Sequence, residues 1–192
     1  MRFLFGSIFA FVLATLVGLG ATYFALSRGA AFGALKIGAW TAWPKTGTAD
    51  ADPYARATIA RSGILPTGLG DGVTFIAYGD DNGRLFDGRC DVVLGGITPT
   101  ARYWTLSLYS PTGDLVTNSV NRFGFTSQEI VRAADGTFEI TVAPRASAGN
   151  WLPTGGVERY QLLLRLYDSA VGVSTRAGKE VPMPTIKTEA CP

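Results

Sequence analysis

The sequence predicts a mainly β domain, a sandwich or barrel of short antiparallel strands with one short helix, standing behind a single N-terminal membrane helix. Three observations predict it. Residues Phe3 to Ser27 form a run of 25 residues without a charge, rich in Phe, Leu, Val and Ala. The 24 glycines and 10 prolines of this 192-residue chain are spread along it, which favours many turns over long helices. After Gly72, short runs of strand-forming residues recur between Gly, Asp and Asn turns, the pattern of an all-β domain rather than a βαβ fold. With 47% hydrophobic against 17% charged residues, the chain has the material for one real core plus an appendage.

The apolar run comes first. A bilayer core of ~30 Å needs about 20 helical residues at ~1.5 Å each, so the segment is long enough to span. The rival reading is a cleaved signal peptide, whose apolar region is ~7–15 residues and thus shorter than this one. No clear Ala-x-Ala site follows it directly, so residues 1–27 are read as an uncleaved signal-anchor contacting the lipid bilayer through residues 3–27. Arg2 precedes the helix while Arg28 and Lys36 follow, so the positive-inside bias barely decides the orientation. All folded mass lies on the C-terminal side and carries a pair of cysteines, which fits an oxidising compartment. The expectation is a single-pass protein of the bacterial inner membrane, N-terminus in, with its domain in the periplasm.

Residues 28–47 read as a connector, in which Trp40 and Trp43 either sit at the bilayer interface or pack on the domain. The domain is placed at 48–192. Asp52-Pro53-Tyr54 reads as a helix start, with Asp as N-cap and proline at the first helical position, and the helix runs through Arg61 to Gly63. Strands are expected over Val73–Tyr78, Cys90–Leu94, Arg102–Tyr109 and Leu115–Thr117. Further runs lie at Ile130-Val131, at Phe138, Ile140 and Val142, and over Tyr160–Tyr167. In the Arg102–Tyr109 run, Trp104, Leu106 and Leu108 share one face, opposite Tyr103, Thr105, Ser107 and Tyr109. In the last run, Tyr160, Leu162, Leu164 and Leu166 lie opposite Arg159, Gln161, Arg165 and Tyr167, as in a half-exposed antiparallel strand.

The composition excludes several chemistries. There is no histidine, which removes the Ser–His–Asp triad, the Cys–His dyad and histidine-bearing metal sites. A net charge of +2 without a Lys/Arg cluster argues against nucleic acid. Cys90 and Cys191 are too few for a structural zinc site and too far apart for a Cys-x-x-Cys pair. The favoured reading is one intramolecular disulfide, whose loop of about a hundred residues contributes ~4–5 kcal/mol in the chain-entropy model. A free thiol or an intermolecular link at Cys191 is the alternative. Asp80-Asp81-Asn82-Gly83 has the oxygens for calcium but lacks the spacing of a calcium loop, and reads better as a hairpin turn. No metal or cofactor is expected.

Three segments together are more specific: Pro53-Tyr54-Ala55-Arg56-Ala57, Ala101-Arg102-Tyr103-Trp104-Thr105-Leu106, and Asn150-Trp151-Leu152-Pro153 followed by Leu164-Arg165-Leu166-Tyr167. In this order, with one cysteine before the second segment and another at the C-terminus, they resemble the bacterial family called domain of unknown function 1214. The resemblance covers most of the chain beyond the anchor. It implies a small antiparallel β-sandwich of jelly-roll type. It also implies a companion of the domain of unknown function 1254 type, fused or encoded alongside in many members and here acting in trans. It carries over no activity.

The candidate ligand-binding residues are Arg102, Asn150, Trp151, Arg165 and Tyr167. Trp151 is suited to stack on a sugar or acyl group, and Arg102 or Arg165 to grip a carboxylate in bidentate fashion. The plainer reading has Asn150 capping a turn, Trp151 filling the core and Pro153 ending a run. The resulting expectation is a membrane-tethered accessory or binding subunit. Against it stand a carboxylate-dependent enzyme acting on an envelope carbohydrate or small molecule, which needs two acids converging near those arginines, and a purely structural envelope protein with no cleft.

Overall fold

The structure is a computed structural model and describes residues 2–27, 33–62, 68, 71–169 and 181–191. The expected helix end at Gly63 and residues 28–32 of the connector lie outside the described residues. The apolar run forms helix α1, Arg2–Ser27, and Arg2–Leu26 is long and apolar enough to cross a membrane, with none of its most apolar window buried against protein. Its length and composition are those of a membrane anchor or a signal sequence.

The connector reading is corrected over part of its length. Leu35–Ile37 (β1) and Trp40–Ala42 (β2) form a hairpin around Gly38, whose φ of 56° suits a tight turn. Trp40 and Ala42 are fully buried, and Trp40 Nε1 donates to the Pro184 carbonyl at 2.8 Å. Of its two readings, Trp40 therefore takes the one in which it packs on the domain. Helix α2, Pro53–Ser62, starts as expected: Asp52 Oδ1 accepts from the N–H groups of Tyr54 and Ala55 at 2.9 and 3.2 Å, with Pro53 at the first helical position.

Eight further strands follow among the described residues: β3 (Gly72–Ala77), β4 (Asp91–Gly96), β5 (Tyr103–Tyr109), β6 (Gly124–Thr126), β7 (Phe138–Ala143), β8 (Asn150–Pro153), β9 (Gln161–Tyr167) and β10 (Thr185–Ala190). They make two sheets, of order β1-β2-β3-β9-β5-β6 and β10-β4-β7-β8. Successive strands repeatedly change sheet, as in a jelly-roll-like sandwich. All pairs are antiparallel except β7 with β8, which run parallel. The alternation read in β5 and β9 aims Trp104, Leu106, Leu108, Leu162, Leu164 and Leu166 into one shared core with Phe75, Val92, Leu94, Ile140, Val142, Leu152 and Ile186.

Four short sequence readings differ from the structure. Leu115–Thr117 contributes a single bridge, Tyr109 to Leu115, and Ile130-Val131 contributes none, the bridge there being Arg132 to Phe138, although Val116 and Ile130 are buried. Asn150–Pro153 is a strand and not a turn, and Tyr160–Tyr167 is not the last strand. β6, β8 and β10 lack clean alternation, and their pairing comes from neighbours distant in sequence. The outer face of β9 is also less exposed than expected, since Gln161 and Leu163 are buried and only Arg165 and Tyr167 reach solvent there. Leu163 lies beside Ile76 of β3 on that face, and both are buried.

Candidate functional site

Sheet register builds the site. Thr74 of β3, Arg165 of β9, Thr105 of β5 and Thr126 of β6 form one row across the outer face of the six-stranded sheet, and Tyr167 and Tyr103 pair in the row two residues along. Period-2 alternation aims these side chains away from the core because Leu164, Leu166, Trp104 and Leu106 take the other face. Arg165 Nη1 donates to the Tyr109 hydroxyl at 3.2 Å, and the guanidinium lies 5.4 Å from that ring centroid, within cation–π range. The Tyr103 and Tyr167 rings are 5.9 Å apart and tilted by 41°. Arg102, just before β5, donates its backbone N–H to the Tyr167 carbonyl, and its side chain lies 3.9 Å from Asp168. Both of those side chains are exposed, so the ion pair adds little to stability.

Arg165 and Tyr167 thus share the outer face, whereas Arg102, one residue before Tyr103, pairs with Asp168 at the end of that strand pair. Asn150 and Trp151 do not join them, because β8 is the edge strand of the other sheet. Asn150 is buried and ties β8 to β7 and to the Val131 segment: its Oδ1 accepts from Val131 N–H, and its Nδ2 donates to the Val131 and Glu139 carbonyls, each at 2.8 Å. Trp151 is half-buried, and its Nε1 donates to the Ala143 carbonyl at 3.1 Å. Tyr103 and Tyr109 complete the face around Arg165. Their signal in the sequence was the polar side of the β5 alternation, which only register brings beside β9.

Among the described residues, Asp80, Asp87 and Asp135 are each held below the usual carboxylate range. Asp87 is held well below the usual carboxylate range, first by the Arg89 side chain, which donates to it twice at 3.0 and 2.7 Å. Asp135 is lowered by the Thr137 side chain and backbone. Burial pushes Asp80 up, but hydrogen bonds from the Thr188 side chain and the N–H groups of Arg84, Asn82 and Thr188 outweigh it and lower it. Asp80 and Gly83, with φ 82°, close the hairpin turn that its sequence indicated. Burial raises the phenols of Tyr78 and Tyr160, with the Asp87 charge adding to the effect at Tyr160. Among the described residues there is no group of three or more acidic or cysteine side chains able to hold a metal ion.

The disulfide joins Cys90, at the start of β4, to Cys191 after β10, 101 positions apart. A cavity of about 530 Å³ opens beside it, walled by Gly88, Arg89, Asp91, Pro144-Arg145, Gly156–Glu158 and Ala190-Cys191. A second, of about 450 Å³, lies between the Trp43–Thr46 turn and the start of α2, where Thr46 Oγ1 is buried without a partner.

The family model for DUF1214, a protein family of unknown function, matches residues 71–171. Among solved structures, the VPA0106 protein of Vibrio parahaemolyticus is similar at 20% identity and a TM-score of 0.58, over 73% of this chain and 36% of that one. An uncharacterized protein of Burkholderia cenocepacia matches at 17% identity and a TM-score of 0.39, over 67% of this chain and 33% of its own. The chain therefore spans about a third of the length of each of these structures. No curated protein matches significantly.

Proposed function

The chain belongs to the DUF1214 family, and because that family has no assigned activity, we propose from the protein's own surface that it is a membrane-tethered accessory subunit of the bacterial envelope. It docks a companion chain, of the domain of unknown function 1254 type, through the outer face of its six-stranded sheet. The observation that carries this reading is the cluster of Arg165, Tyr103, Tyr109 and Tyr167 on a face where Arg165's own row is otherwise threonines. Tyr and Arg are the residues most enriched at the centres of protein interfaces, where planar side chains give area with little entropy loss. The Arg165–Tyr109 contact holds both side chains in place before a partner arrives, which lowers the ordering cost of binding.

Helix α1 would tether the domain to the inner membrane. The disulfide fits a periplasmic location, where such bonds persist. The Vibrio structure has the same fold in a chain nearly three times the length of the matched segment, which supports a domain that works beside further protein mass. The enzyme reading has no comparable support, since the carboxyl shifts resolved here are downward and the acid facing Arg102 is the exposed Asp168.

Cross-linking and pull-down of the tagged full-length protein from its native membrane tests the proposal. One dominant partner chain is expected, with recovery falling at least tenfold for Arg165→Glu. Recovery of the protein alone, or undiminished capture by that variant, would overturn it.

A further inference from the structure

Arg84 follows the Asp80–Gly83 turn, which fixes its backbone: its N–H donates to Asp80 Oδ1 at 2.9 Å. Its guanidinium Nη2 lies 2.9 Å from Cys191 Sγ and 3.9 Å from Cys90 Sγ. It forms no ion pair among the described residues, so its charge faces the two sulfurs uncompensated. A cation beside a sulfur favours the thiolate, and a better-stabilised thiolate is a faster leaving group in exchange. The two sulfurs also differ in access. Cys90 is buried at 3% exposure, whereas Cys191 is exposed and forms part of the cavity wall.

We infer that Cys90–Cys191 is an exchangeable disulfide, and that the cavity beside Cys191 receives a small thiol bearing both carboxylate and ammonium groups. The volume, about 530 Å³, is within the range of small-molecule sites. Arg145 offers a guanidinium group to a carboxylate, the Arg89 guanidinium being held by Asp87, and Asp91 and Glu158 offer negative charge to an ammonium. In the first step the incoming thiol loses its proton to solvent and its thiolate attacks Cys191 Sγ. The Cys90–Cys191 bond breaks and the bonding pair leaves on Cys90 Sγ, 3.9 Å from Arg84 Nη2; attack falls on Cys191 because it is the exposed sulfur, although Arg84 stands nearer to it, at 2.9 Å. In the second step another equivalent of thiolate attacks the ligand sulfur of the mixed disulfide, releasing the Cys191 thiolate and the oxidised ligand. Two thiols are oxidised to one disulfide while Cys90 and Cys191 are reduced.

The fold tolerates the opened state. β10 stays paired with β4 from Thr185 to Thr188, and Ile186 is held by both its N–H and its carbonyl to Asp81. Reduction therefore frees the Ala190-Cys191 wall of the cavity and leaves the sandwich closed.

The test is incubation of the full-length oxidised protein with reduced glutathione, followed by alkylation and peptide mass mapping. The expected product carries glutathione on Cys191 and an alkylated Cys90. Arg84→Gln should slow its formation about tenfold, the effect of one unit in a leaving-group pKa at full sensitivity, while Arg84→Lys restores most of the rate. Arg145→Ala should slow the reaction with glutathione but not with 2-mercaptoethanol, which has no charge for the cavity to read. Glutathione on Cys90, an unchanged rate in Arg84→Gln with a native circular dichroism spectrum, or equal slowing of both thiols by Arg145→Ala would each overturn the inference.

Discussion

At the scale of single residues, the polar side chains that matter most to the fold are the ones that close gaps between strands. Asn150 is buried and satisfies Val131 on both its N–H and C=O, together with the Glu139 carbonyl. Asn150→Leu has nearly the same volume but strands those groups, so a loss of about 2–4 kcal/mol is expected in urea unfolding of the full-length protein in detergent. An unchanged midpoint would show that water replaces the amide. Asp81 joins three segments: its carboxylate accepts from Ala39 and Ile186 N–H at 2.9 and 2.7 Å, and its own N–H donates to the Ile186 carbonyl. Aspartate in a turn was legible in the sequence as a local hydrogen-bonding residue. Its partners 42 and 105 positions away were not, because nothing local encodes them. Acid titration follows from the same chemistry. Asp80 and Asp87 have depressed folded pKa values, so their contribution is complete above the unfolded value near ~4 and disappears as pH falls through the folded one. Thermal stability should be level from neutral pH to about 5 and decline below about 4, and Asp87→Asn should flatten part of that decline.

At the scale of elements, the chain is secured at both ends of the sandwich. The β1–β2 hairpin adds two strands to the edge of the larger sheet and brings Trp40 into the core, where its indole N–H reaches Pro184 just before β10. Trp40→Ala should cost about 3–5 kcal/mol, the range for emptying a large aromatic site. β10 is the edge of the smaller sheet, and its exposed Lys187 and Glu189 discourage pairing with another chain. Beyond it the disulfide closes a loop of about a hundred residues. Replacing both cysteines by serine should lower stability by about 2–5 kcal/mol, read as a shift in the midpoint of denaturation. Glycine enters the argument where backbones touch. At Gly88 a Cβ would run into the Val157 carbonyl, so Gly88→Ala should displace the Gly88-Arg89 wall of the cavity.

At the scale of the whole molecule, the boundary of the domain is the point on which structure corrects sequence. A chain beginning at residue 48 omits β1 and β2 and opens the slot that Trp40 fills, whereas one beginning at residue 33 keeps both. The longer chain should unfold cooperatively in calorimetry, and the shorter should have a melting midpoint lower by at least 10 °C or none. Equal midpoints would show that the hairpin is dispensable. The candidate face follows the same division. That Arg165 and Tyr167 lie opposite a leucine stripe was readable from period-2 alternation, and so was the polar side of the Tyr103–Tyr109 strand. That the two stripes lie side by side was not. The sequence by itself determined the apolar N-terminal helix, the helix start at Asp52-Pro53, the alternating strands and the cysteine pair, because each depends on neighbours within a few residues or on composition. Only the tertiary structure decided that Trp40 belongs to the core, that Asn150 is a buried bridge and not part of the Arg165 face, and that Arg84 stands against the disulfide. Those placements depend on which strands pair across the sandwich, and pairing is decided by burying the summed apolar surface of both sheets at once.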